Sequence, residues 1–137
     1  MIDQGYLGPL EDLLEKEGTF GHRQHVDLAW RYLHLTDQLK AEAWMREAIR
    51  HVAFRHGAAD KYHETRTIAW IKLVAIHVHR SDAASFDEFI ANNSDLLNTQ
   101  LLDHFYSDEV IQGAIARQNW VEPDVAPLPY SGTLRSV

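Results

Sequence analysis

The stretch Ile68-Ala-Trp-Ile-Lys-Leu-Val-Ala-Ile-His-Val78 decides how this chain is read. Wound at about 3.6 residues per turn, it is apolar on nearly every side, which is the pattern of a helix enclosed by other helices. The helix is predicted to run from about Asp60 to His79, with Asp60 as its cap. Polar residues at its start must then face buried neighbours.

Working outward from this segment, helical spacing accounts for most of the chain, and sustained period-two alternation and Asn-Gly or Asp-Gly hairpin turns are missing. A short first helix is predicted over Pro9 to Lys16, with Glu11 and Asp12 near its positive start and Gly18 beyond its end. A second runs from about Gly21 or His22 to Leu35, with Val26, Ala29, Trp30 and Leu33 on one stripe. Thr36-Asp37 offers a cap for a third helix to about His56, which Gly57 stops; Leu39 or Ala43, Met45, Ile49, Val52 and Ala53 are predicted to face inward. Shorter helices are predicted over Ser85 to Asn92, Leu96 to Tyr106 and Asp108 to Asn119, with Ser85, Asp95 and Ser107 as caps. From Val121 the sequence Glu-Pro-Asp-Val-Ala-Pro-Leu-Pro129 carries three of the four prolines and cannot be helical. The expectation is an all-α, compact bundle of six to seven helices with a buried fourth helix. An extended Pro-rich tail over 121–137 would pack on the bundle or on a partner subunit, all within one helical domain spanning 1–137.

Composition narrows the function classes. The formal charge of -7 and the scattering of thirteen Lys and Arg among twenty carboxylates argue against nucleic acid and against anionic lipid surfaces. With no cysteine, any metal would be held by nitrogen and oxygen, and thiol nucleophiles are excluded. No apolar run approaches the roughly 18 residues of a membrane span, and no signal-peptide pattern opens the chain, so a cytoplasmic protein is expected.

The candidate chemistry lies among nine histidines. His22 and His25 stand three apart in the first turn of the second helix, close enough on one face to share an ion. His63 lies in the first turn of the fourth if Asp60 caps it. A helix start disfavours imidazolium, which biases all three toward the neutral form that binds metals and accepts protons. In an up-down-up arrangement the second and fourth helices begin at the same end, so the three histidines are predicted to converge. His63, Thr67, Trp70, Val74 and His77 would form one inward stripe below them, a polar mouth over an apolar core of the kind that takes a ligand. Glu64 is expected to act as a base, an orienting group or a ligand, and Tyr62 to orient a bound water or substrate. His34, His51, His56, His77, His79 and the four tryptophans read as structural.

The functional expectation is a small metal-dependent enzyme in which His22, His25 and His63 hold zinc or iron while Glu64 and Tyr62 assist catalysis on a small organic substrate, hydrolytic or lyase-type chemistry being favoured. Two histidines plus Glu64 would instead suit a non-haem iron oxygenase. The competing expectation is a non-catalytic helical module that binds a small ligand or a protein partner through its Trp and Tyr surfaces and its proline-rich tail, with a homodimer among the possible assemblies.

Overall fold

The computed structural model describes residues 3–129. These residues form seven α-helices and short 3-10 turns, with no strand among them. Helix α1 spans Leu7–Glu17, α2 His22–Leu35, α3 Gln38–Arg55, α4 Glu64–His79, α5 Phe86–Asn92, α6 Asp108–Ile111 and α7 Ala114–Gln118. Helices α2, α3 and α4 pack on one another, α1 closes on α2, and α7 lies against α4. Eleven of the 16 residues of α4 are buried, so this helix is the axis around which the others are arranged. Its all-round apolar character is the reason: no rotation of such a helix leaves a polar face for water.

Local signals set the helix ends. The Asp37 carboxylate accepts the Lys40 amide at 2.9 Å, and the Ser85 and Ser107 hydroxyls accept the amides of Glu88 and Val110 at 3.2 Å each, satisfying donors that the helix itself leaves free. Gly18 and Gly57 close α1 and the turn after α3 at φ 71° and 68°, a left-handed conformation that residues with a Cβ seldom adopt.

Several expectations are corrected. The fourth helix starts at Glu64, because Ala59–Lys61 forms a 3-10 turn and His63 takes the cap position that Asp60 was expected to fill. Leu39 and Ala43 point outward, Leu39 being 80% exposed; the phase fixed by the Asp37 cap turns Ala41, Met45 and Ala48 inward at i, i+4 and i+7. Leu96 to Tyr106 is not one α-helix. It is split between 3-10 turns at Ser94–Leu97 and Leu101–His104, with the Asn98 side chain accepting the Gln100 amide at 3.0 Å between them, and Asp95 is not a side-chain cap. Leu96, Leu102 and Tyr106 still reach the core from this irregular path. The predicted Asp108–Asn119 helix breaks at Gly113, whose extended backbone separates α6 from α7.

After α7 the chain runs without helix over 119–129 as a strap along the bundle. Thr65, fully buried on α4, holds its beginning: the hydroxyl donates to the Asn119 carbonyl at 2.6 Å and accepts the Val121 amide at 3.1 Å. Tyr106 donates to the Val121 carbonyl at 2.6 Å, Val125 donates to the Phe105 carbonyl at 2.9 Å, and the Asp124 carboxylate accepts the Ser107 amide at 2.9 Å. The remainder of the predicted tail, 130–137, lies outside the described residues.

Candidate functional site

The helix-start histidines occupy three different settings. His22 lies edge-on to Trp70 with ring centroids 4.4 Å apart, and its Nε2 donates to the Leu96 carbonyl at 2.9 Å. Trp70 is seven residues beyond His63, about 10 Å along the α4 axis at about 1.5 Å per residue, so α2 begins level with the second turn of α4 rather than beside its first. His25, with its ring centroid 6.3 Å from that of His22, is half-buried, and its Nε2 is buried with no hydrogen-bond partner. Burial first, and the neighbouring His22 second, push its pKa down to about 3.

His63 is committed at both nitrogens. The Arg66 amide donates to Nδ1 at 3.0 Å, which fixes Nδ1 as the acceptor, and Nε2 therefore carries the hydrogen and donates to the Ile111 carbonyl at 2.7 Å. The imidazole caps α4 and ties it to the end of α6 in one neutral tautomer. Burial holds its pKa below the ordinary value, and Arg66 and Arg117 push the same way against the bond to Ile111. Burial, not the helix start, holds His25 and His63 toward the neutral form, and for His63 the free lone pair is used by the helix.

Glu64 and Tyr62 belong to a separate polar cluster. The Glu64 carboxylate accepts Arg46 Nε at 2.8 Å and the Tyr62 hydroxyl at 2.6 Å, while the Arg50 guanidinium lies 4.9 Å over the Tyr62 ring. Burial, with the bond to Glu64 behind it, raises the Tyr62 pKa, so the phenol stays a hydrogen-bond donor. The structure therefore does not bring His22, His25, His63 and Glu64 together as one ligand set. Among the described residues no group of three or more His, Asp or Glu side chains is placed to hold a metal ion.

What the fold does build is a cavity of about 640 Å³ between α4, the beginning of α3 and the strap. Lys72, Ile76 and His79, at i, i+4 and i+7, give α4 one stripe facing it. Trp120, Pro127 and Leu128 give apolar surface to the opposite wall, which Glu122 and Asp124 share. Lys72 extends a half-buried stem so that its ammonium meets the Glu42 carboxylate at 3.3 Å and lies 5.2 Å over the Trp120 ring. Glu42 also accepts the Gln38 amide at 3.0 Å, so a buried carboxylate anchors two of the polar groups at the cavity. On the strap side the Trp120 indole donates to Glu122 at 3.3 Å.

Searches against models of protein families, curated proteins and solved structures gave no match. The reading of this site therefore rests on its own geometry.

Sequence reasoning passed over the cavity residues. Trp120 does pack on the core and His79 does end α4, as expected, and both also line the cavity; Lys72 reads in the sequence as one of the scattered charges. One signal was present: Lys72 is the lone Lys, Arg, Asp or Glu in the run from Ile68 to Val78. A single cation on a mostly buried helix needs solvent, a carboxylate or a cavity, and Lys72, its side chain 33% exposed, meets Glu42 beside the cavity.

Proposed function

We propose that this chain is a ligand-binding helical domain that takes a small, largely apolar molecule between α4 and the strap over 119–129. The observation that carries this reading is a strap fixed in place that leaves a cavity beside α4. Hydrogen bonds with Thr65, Tyr106, Phe105 and Ser107 hold the strap at 119, 121, 124 and 125, and Trp120 and Leu128 pack on the core, yet a cavity of about 640 Å³ remains between the strap and α4. Drug-sized ligands occupy pockets of about 300–1,000 Å³ with apolar surface and placed polar groups, and the cavity, open to solvent on one side, has that size and offers both kinds of surface. A preformed wall also lowers the ordering cost of binding.

The metal-dependent reading, with zinc or iron on His22, His25 and His63, has one observation in its favour, the buried and unpartnered Nε2 of His25. A single imidazole nitrogen falls short of the three or four donors that a hydrolytic or oxygen-activating metal needs. The cavity carries the stronger support.

The test is a screen of drug-sized apolar compounds by amide and indole NMR shifts. Compounds that bind are expected to move the signals of Lys72, Ile76, Trp120 and Leu128, and Ala126→Trp, which fills the cavity from the strap, is expected to abolish the shifts while leaving helical circular dichroism intact. Binders whose shifts map elsewhere and survive Ala126→Trp would overturn the proposal.

A further inference from the structure

The charges around the cavity of about 640 Å³ allow its ligand class to be narrowed, an inference that rests on the ligand-binding reading above. Lys72 is the one Lys or Arg among the lining residues, and its charge is already answered by Glu42 at 3.3 Å, with the Trp120 face taking part of the ammonium's remaining surface. A carboxylate or phosphate entering at Lys72 would have to approach Glu42 as well, because that carboxylate is fixed in place by the Gln38 amide at 3.0 Å.

The other two charged lining residues are both acids, Glu122 and Asp124. Their positions are set by the chain itself: Glu122 accepts the Trp120 indole N–H at 3.3 Å, and Asp124 accepts the Ser107 amide at 2.9 Å. The hydrogen bonds to Ser107 hold the Asp124 carboxyl below its ordinary pKa. Lys72 and Glu42 cancel, Glu122 and Asp124 do not, and His79 is the remaining titratable group at the wall. The cavity thus carries a net negative charge at its strap side, inside a chain whose formal charge is -7. The apolar surface of Ile76, Trp120 and Leu128 lies alongside those acids.

We infer that the cavity selects cationic amphiphiles, molecules with a flat apolar body that seats between Ile76, Trp120 and Leu128 and an ammonium group that meets Glu122 and Asp124. The body supplies most of the affinity through buried area, and the ammonium supplies the discrimination. At about 6 Å in a water-like dielectric each carboxylate favours a cation over a neutral isostere by about threefold, so the pair is worth about tenfold at low salt.

Three probes with one ring system separate the possibilities: tryptamine, 3-ethylindole and indole-3-propionate, titrated calorimetrically against the full chain at pH 8 in 20 mM and 300 mM salt. The expected order is tryptamine tightest, 3-ethylindole about tenfold weaker, and indole-3-propionate weaker again, with the tryptamine advantage shrinking at high salt. Glu122→Gln with Asp124→Asn keeps both acceptors and removes both charges; it is expected to bring tryptamine to the level of 3-ethylindole measured on the same variant. If 3-ethylindole or indole-3-propionate binds as tightly as tryptamine, or the double variant keeps the full preference, the cationic assignment is overturned while the cavity reading stands. If none of the three binds to wild type and none moves the NMR signals of Ile76 or Trp120, both readings fall together.

Discussion

Acid should destabilise this fold through His25, and the size of the effect follows from its setting. The half-buried imidazole lies near the start of α2 with a buried, unpartnered Nε2, and its pKa falls from the ordinary 6.5 to about 3. The folded state thus holds the neutral ring while the unfolded chain binds a proton below about pH 6.5. The contribution is fully present above that pH and is lost as pH falls from 6.5 toward 3. Each unit in this window is worth about 1.4 kcal/mol, so the loss between pH 7 and pH 5 is about 2 kcal/mol and levels off near 5 kcal/mol below pH 3. Against a total stability of about 5–15 kcal/mol, that is enough to move a denaturation midpoint visibly.

Urea unfolding at pH 7, 6 and 5, followed by circular dichroism, measures the slope for wild type and for His25→Phe. The variant replaces an imidazole whose buried nitrogen has no partner with an apolar ring, so its stability at pH 7 should stay within about 1.5 kcal/mol of wild type. It should lose about 2 kcal/mol less than wild type between pH 7 and pH 5. His63 contributes in the same direction, because protonation of Nδ1 breaks the bond from Arg66 and places a cation at the start of α4, and His25→Phe retains that part of the slope. If His25→Phe loses as much stability as wild type over this interval, or if the His25 ring titrates near 6.5 by NMR in the folded protein, the reasoning fails.

Three further outcomes check the rest of the architecture. Thr65→Val keeps the shape of a fully buried side chain but strips the strap of its two bonds at Asn119 and Val121, and it should cost about 2–3 kcal/mol in urea unfolding; a change under about 0.5 kcal/mol would mean the strap is held elsewhere. Glu64→Gln leaves Arg46 without its carboxylate and weakens the bond from Tyr62, so a loss of about 1–3 kcal/mol is expected, and an unchanged midpoint would return Glu64 to the role of a free base. Because His63 spends both nitrogens on protein partners and His22 spends Nε2 on Leu96, treatment with a strong chelator should leave the thermal midpoint within about a degree; a drop of several degrees would restore a metal bound through these histidines.

The parts of the fold that were legible are those where one physical requirement acts alone. Ile68 to Val78 has no polar face to offer solvent, so its burial follows from the residues themselves. Asp37, Ser85 and Ser107 cap because a short oxygen side chain before a helix can reach the free amides wherever the helix lies. Legibility ended where tertiary contacts choose between local options. Between Leu96 and Tyr106 three buried side chains at spacings of six and four drew the backbone into 3-10 turns, and a helical window could not register that demand. Leu39 is apolar enough to face the core, but the phase fixed by the Asp37 cap turns Ala41, Met45 and Ala48 inward instead.

The histidines show why the candidate site was harder to read than the fold. A neutral imidazole at a helix start is what a metal ligand and a helix cap both require, so the sequence argument that singled out His63 was sound and still left two uses open. What separates them is the occupant of the Nδ1 lone pair, and here it is the Arg66 amide of the same helix. His22 adds a second lesson of the same kind, since α2 starts level with Trp70 and not with His63, an axial offset that no spacing within either helix encodes. Lys72 shows the opposite case. Its helix could not be surface-exposed, so its charge had to be met internally, and the demand for a partner was written in the sequence even though Glu42 and the Trp120 face were not.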